Sequence, residues 1–162
     1  LASNALHTNG YSLLRMLMEK MPQMKLHKVE GKTFIEQIMK PHTPYYKAIK
    51  KINDRVHGMA HITGGGIEGN LCRIIPDGLC ARIELPKVRT LPVFGYIKRM
   101  GNIEDEEMLS TFNCGVGLVI VVSQEEKDMV MECVGAFYDC YEIGCMVPGQ
   151  KKVAFQGRMQ FE

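Results

Sequence analysis

The run Val116-Gly117-Leu118-Val119-Ile120-Val121-Val122 constrains this chain more than any other segment. It is apolar and largely β-branched, so a strand formed there has no polar face to give to water and needs cover on both sides. That predicts a central place in a sheet, with helices packed over it. The next residues, Ser123-Gln124-Glu125-Glu126, have the pattern of a capping box, in which the serine hydroxyl and a glutamate carboxylate each satisfy a free backbone N–H. They predict a helix over 124–134. One buried strand running straight into a capped helix commits the chain to a layered fold.

The remaining segments fit that plan. Leu13, Leu14, Leu17 and Met18 form one apolar stripe on a helix over 11–19, with Thr8 or Asn9 as its N-cap and Pro22 beyond its end. Short helical patterns at 34–39 and 45–52 have narrow apolar faces, which predicts places on the surface. The stretch 56–62 reads as a strand that enters Thr63-Gly64-Gly65-Gly66, after which Ile67, Leu71, Ile74 and Ile75 have helical spacing up to Pro76. Residues 79–85 alternate apolar and polar, the period of a half-buried strand. Helices follow at 93–100, stopped by Gly101, and at 105–112, with acidic residues in the first turn where the helix dipole favours them. Two short strands, 140–147 and 153–159, close the chain around the turn Pro148-Gly149-Gln150. No repeat and no proline-rich linker divides the sequence. The expected class is α+β, one mixed, largely antiparallel sheet covered by helices, in a single domain over 1–162.

Composition excludes several functions. At 162 residues and 46% hydrophobic content the chain can build a core, burying roughly 70% of its unfolded surface. Its 20 Lys+Arg against 18 Asp+Glu give a net charge of +2 without a block of like charge, so neither a nucleic-acid arm nor a solvated tail is expected. No run of about 18 apolar residues predicts a membrane span, and 1–7 lacks the basic flank and apolar stretch of a signal peptide. A cytoplasmic location is expected. The six cysteines include no C-x-x-C pair and sit in apolar company, which predicts buried, reduced thiols rather than a disulfide framework or a zinc ribbon. Cys114 is the one expected to be accessible, but no basic neighbour in sequence would activate it.

Candidate chemistry lies in three glycine-bearing turns. Asn4-Ala5-Leu6-His7-Thr8-Asn9-Gly10 precedes the first helix and offers an imidazole, a hydroxyl and amides to a phosphate or an amide-bearing substrate. Spacing alone favours the plainer reading, in which Thr8 and Asn9 cap the helix and Gly10 permits the turn. In His61-Ile62-Thr63-Gly64-Gly65-Gly66, three successive glycines leave the backbone bare of β-carbons at a strand-to-helix junction, as a closely approaching anion or a very tight turn requires. The spacing is neither that of the dinucleotide fingerprint nor that of a P-loop. In Phe112-Asn113-Cys114-Gly115-Val116-Gly117, Asn113 either bonds a substrate or shapes the turn. His57 and His61, four apart without the glutamate of a metalloprotease helix, give no metal motif, and no metal site is expected.

Taken together, 6–13 (Leu-His-Thr-Asn-Gly-Tyr-Ser-Leu), 59–66 (Met-Ala-His-Ile-Thr-Gly-Gly-Gly) and 107–117 (Glu-Met-Leu-Ser-Thr-Phe-Asn-Cys-Gly-Val-Gly) resemble, in order and spacing, the signatures of aminoimidazole ribonucleotide synthetase, the phosphoribosylformylglycinamidine cyclo-ligase family. The resemblance covers almost the whole chain and corresponds to the family's second half. It implies a purine-biosynthesis step in which formylglycinamidine ribonucleotide and ATP give aminoimidazole ribonucleotide, ADP and phosphate. It also implies ATP with Mg²⁺ bound mostly by an N-terminal domain absent from this chain, a homodimeric whole enzyme, a chain inactive alone, and a small ribonucleotide substrate. By match to the motifs, His7 and His61 are carried over as catalytic, and Thr8, Asn9, Gly10, Thr63, Gly64, Gly65, Gly66 and Asn113 as substrate or phosphate contacts. The chain departs from the family pattern at Ala5, where glycine is usual, and at Gly69 and Cys72, where an acidic residue and a proline are usual; Glu68 stands beside the lost carboxylate. Two other readings fit: a stand-alone, non-catalytic binding or regulatory module of the same fold, and another ATP-using enzyme of the superfamily.

Overall fold

The computed structural model describes residues 1–150 and 152–161. The α+β class holds, with fourteen regular elements among those residues: α1 (Tyr11–Lys20), β1 (Lys28–Val29), β2 (Lys32–Thr33), α2 (Phe34–Ile38), α3 (Tyr46–Ile52), β3 (Gly58–His61), α4 (Gly66–Leu71), β4 (Leu79–Glu84), α5 (Pro92–Gly101), α6 (Asp105–Thr111), β5 (Leu118–Val121), α7 (Lys127–Gly135), β6 (Gly144–Pro148) and β7 (Val153–Gln156).

The sheet differs from expectation. Instead of one sheet the strands make three small ones: β1 with β2, β3 with β5, and a mixed sheet in the order β6-β4-β7. Strand β5 is not central, since among the described residues its only paired strand is β3, antiparallel, with Gly58 opposite Val121 and His61 opposite Leu118. Its doubly apolar character has another cause. Val119 and Val121 pack into the main core with Leu6, Phe94 and Phe112, while Leu118, Ile120 and Val122 pack into a second cluster with Tyr45, Ala48, Ile52, Val130 and Val134. The strand is apolar on both faces because it divides two cores, as the period of two along a strand allows. The last two strands are likewise not partners. Strand β4 lies between them, antiparallel to β6 and parallel to β7.

Local signals account for most helices. Helix α5 starts on Pro92 and stops where Asn102 takes a left-handed φ of 45°. Helix α2 is held by a capping box, Thr33 Oγ1 accepting from the Glu36 N–H and Glu36 Oε2 accepting from the Thr33 N–H at 2.7 Å. Helix α7 begins later than expected, yet Ser123 Oγ does accept from the Glu126 N–H at 3.3 Å, so residues 124–126 form a capped turn ahead of the helix. Helices α2 and α3 are not superficial: Phe34, Ile38, Ala48 and Ile52 are fully buried, because narrow apolar faces suffice when each side chain enters a core whole.

Candidate functional site

Three chain segments distant in sequence are laid side by side by backbone pairing. Ala2 forms a β-bridge with Val116, and the Ser3 N–H donates to Gly115 O at 2.8 Å, so the first motif enters beside the third. The Ile62 N–H donates to Gly117 O at 2.9 Å, extending the β3–β5 ladder to the edge of the second motif. Asn113 locks this junction. Its Oδ1 accepts from Ser3 Oγ and from the Gly115 N–H, both at 2.9 Å, and its Nδ2 donates to Ala5 O at 3.0 Å. The residue is wholly buried, so of the two roles open to it on sequence the structural one is built here, and the amide has no surface to offer a substrate. Cys114 corrects another expectation: it is buried, its thiol donates to Met108 O, and burial pushes its pKa up to about 12. Nor are the six thiols all buried as expected: only Cys80 and Cys114 are, Cys72, Cys133 and Cys140 are half-buried, and the exposed cysteine is Cys145.

Thr8 and Asn9 do not cap α1. The N-cap is Gly10, at φ 76°, and no side chain caps the helix. Thr8 is exposed, whereas Asn9 is buried and donates through Nδ2 to Ile62 O at 3.4 Å, bridging the first motif to the second. The glycines divide by what surrounds them. A β-carbon on Gly66 would lie 1.7 Å from Leu109 O, and one on Gly10 would lie 2.0 Å from Phe112 Cε1, so these two are glycine because α6 and its end crowd them. Gly64 is different. The nearest atom to a β-carbon there is Asn9 Oδ1 at 4.0 Å, its φ lies outside the left-handed range, and it is exposed, so neither packing nor strain explains it.

Helix α4, at six residues, is too short for its dipole alone to make an anion site. The turn is instead shaped by Asn70, which sequence reasoning passed over. Its Nδ2 donates to the carbonyls of Thr63, Gly64 and Gly66 and its Oδ1 accepts from Thr63 Oγ1, so one buried amide ties the turn's oxygens inward. Among the described residues the N–H groups of Gly64 and Gly65 have no backbone acceptor.

Histidines gather at the mouth of this junction. His7 has a left-handed φ of 56°, a conformation a residue other than glycine holds at a cost of roughly 1–3 kcal/mol. Its Nε2 meets Asn4 Oδ1 at 3.1 Å, and Asn4 Nδ2 donates in turn to Pro41 O at 3.0 Å. That chain of partners assigns Nε2 as the donor and leaves Nδ1, which is buried without a partner, carrying the lone pair. His42, from the loop between α2 and α3, faces His7 with ring centroids 3.8 Å apart and meets His61 Nε2 through its own Nε2 at 2.9 Å. Burial, then the neighbouring His42 and His61, push the His7 pKa down to about 4. Burial and His42 move His61 in the same direction. Below it, a β-carbon on Gly117 would lie 1.8 Å from the Tyr45 hydroxyl and 2.9 Å from His7 Cε1, so that glycine lets the imidazole and phenol reach the strand. His42 had no sequence signal, because nothing near it in the chain predicts what it meets. A cavity of about 350 Å³ between β4, β5, β6 and α7 is largely aliphatic and contains none of these residues.

The resemblance carried by the three motifs is borne out by comparison with known proteins. Residues 1–156 match the family described as AIR synthase related protein, C-terminal domain. The chain is 40% identical over 156 residues to the phosphoribosylformylglycinamidine cyclo-ligase of Pseudothermotoga lettingae, covering 94% of this chain and 46% of that protein. It is 39% identical over 138 residues to the enzyme of the same name from Neisseria meningitidis, covering 83% and 40%, and 39% identical over 136 residues to that of Bacillus cereus, covering 80% and 39%. The chain thus spans less than half the length of these relatives.

Proposed function

Since the chain belongs to the AIR synthase related protein family, as its C-terminal domain, we propose that it forms one wall of the active cleft of a phosphoribosylformylglycinamidine cyclo-ligase. In that reaction the formyl amide oxygen of formylglycinamidine ribonucleotide takes the γ-phosphoryl group of ATP and ADP is released. The amidine nitrogen then attacks the activated carbon, and phosphate leaves with the oxygen as the imidazole ring closes. Charge develops on phosphoryl and amide oxygens, which fixed backbone N–H and neutral side-chain donors stabilise without reorganising.

The observation that carries the proposal is the convergence of the first two motifs, Asn9 of one reaching Ile62 O of the other beside the open Gly64. The N–H groups of Gly64 and Gly65, with the hydroxyl of Thr8, serve as the anion cradle; Asn9, Gly10, Gly66 and Thr63, whose hydroxyl is held by Asn70 Oδ1, shape it, and Asn113 holds it in place. His7, neutral at pH 7, is suited through Nδ1 to accept the proton of the closing nitrogen, and His61 at the exposed mouth, on giving up its contact with His42 Nε2, to donate its Nε2–H to the activated oxygen. Mg²⁺ is ordinarily held through one or two carboxylates, and the metal-capable cluster among the described residues here is three imidazoles, so the residues do not fit it. ATP and its metal are assigned instead to the partner half of the enzyme, which we take to be a homodimer of the cytoplasm. No helix of the described residues is long and apolar enough to cross a membrane.

The test is reconstitution. The chain is fused to, or mixed with, the N-terminal half of a relative, and aminoimidazole ribonucleotide formation is measured with and without His61→Ala. Product from the wild type and a fall of about 10²–10⁴ in rate for the variant are expected. Absence of product from the folded wild-type fusion would overturn the proposal.

A further inference from the structure

Three histidines from three separate segments share one point in space. One ring nitrogen from each of His7, His42 and His61 lies within 4.8 Å of the other two, with His7 buried, His42 half-buried and His61 exposed. Spacing in the sequence gave no reason to expect a metal, since it offered only His57 with His61, and the third ligand comes from a loop that only the fold brings near. We propose that His7, His42 and His61 form a three-imidazole site for a divalent transition cation of the zinc class.

The outer contacts of the rings carry the proposal as much as their proximity. A ligating histidine ordinarily donates its other ring nitrogen to a carbonyl or amide oxygen, which fixes the tautomer and aims the lone pair. Two of the three rings have that arrangement. His7 is held through Nε2 by Asn4 Oδ1, which leaves Nδ1 buried and unpartnered. His42 is held through Nδ1 by Thr43 O at 2.9 Å, which leaves Nε2 pointing at His61. The 2.9 Å contact between the two Nε2 atoms is a hydrogen bond that a cation replaces, His61 moving its proton to its other ring nitrogen while all three rings stay neutral. Metal–nitrogen distances of about 2.0–2.1 Å in a tetrahedron separate ligand nitrogens by roughly 3.3 Å, within reach of small rotations from the observed spacing. Neutral imidazoles with no carboxylate among them suit zinc, cobalt, nickel or copper and do not suit magnesium or calcium. Because His61 is exposed, the fourth position opens to solvent. The site does not rest on the cyclo-ligase reading, and a cation seated there would occupy the His7 lone pair that the reaction uses.

The test is titration of the chain with Co²⁺ as a spectroscopic probe, followed by displacement with Zn²⁺. Wild type is expected to bind one cobalt with the visible ligand-field bands of a nitrogen-ligated tetrahedral ion. His42→Ala is expected to weaken binding at least about tenfold, and His57→Ala, outside the cluster, to leave it unchanged. In parallel, Zn²⁺ added to the wild-type chain should shift the imidazole NMR signals of His7, His42 and His61 and spare those of His27 and His57, a readout that needs no variant to fold. No binding by wild type, cobalt affinity in folded His42→Ala equal to wild type, sulfur-to-cobalt charge transfer marking cysteine ligands, or zinc shifts confined to His27 and His57 would each overturn the site.

Discussion

A single methyl group distinguishes the two kinds of glycine in the second motif. Gly66→Ala drives a β-carbon into Leu109 O at a left-handed φ of 61°, and is expected to destabilise the fold by about 3 kcal/mol or more in denaturant unfolding. Gly64→Ala meets nothing closer than 4.0 Å and should change stability by no more than about 0.5 kcal/mol, yet remove activity from the reconstituted enzyme, because the methyl stands where a ligand oxygen would approach. The histidines set a pH dependence whose sign is fixed. His7 binds its proton at about 4 when folded and at 6.5 when unfolded, so its contribution is fully present above 6.5 and is lost as the pH falls toward 4. His61, shifted the same way and facing the same His42, adds to it. Thermal unfolding midpoints measured across that window should fall more steeply for wild type than for His7→Asn, a side chain that tolerates the left-handed backbone. Equal slopes would show that the imidazole is not held neutral by its surroundings.

At the scale of elements, buried amides act as clasps between motifs. Asn113→Ala removes two hydrogen bonds that join the entry of the first motif to the third and one within the third, leaves buried partners unsatisfied, and is expected to lower stability by about 2–4 kcal/mol in denaturant unfolding. Phe34→Ala should lower it by about 3–5 kcal/mol, as befits a fully buried ring at the start of a helix whose sequence suggests a surface position. The sequence made α1, α5, α6 and β4 legible to within a residue or two, because apolar periodicity, the alternation of a half-buried strand and an acidic first turn are local properties. It misplaced β5 in a single sheet because an apolar run does not say whether its two faces meet one layer or two cores. The three turns were legible as candidate chemistry from their residue types. Their internal division was not, since whether a glycine faces a carbonyl, a ring or open space is decided by α6, some forty residues further along the chain from Gly66. His42 lay beyond sequence reasoning for the same reason.

For the molecule as a whole, charge is a minor influence on stability. The net charge is +2, and ion pairs such as Arg55–Glu126 and Arg89–Asp139 join exposed side chains, so raising the ionic strength should shift the unfolding free energy by less than about 1 kcal/mol. A larger loss in salt titrations would mean that these pairs act as a network. The mixed sheet has a different kind of consequence. Leu79 waits for Pro148 and Ala81 for Val153, so β4 finds both of its neighbours only roughly seventy residues further along the chain. During synthesis that strand leaves the ribosome with two bare edges and keeps them until those later residues emerge, an interval in which chaperones, rather than native contacts, would have to guard it.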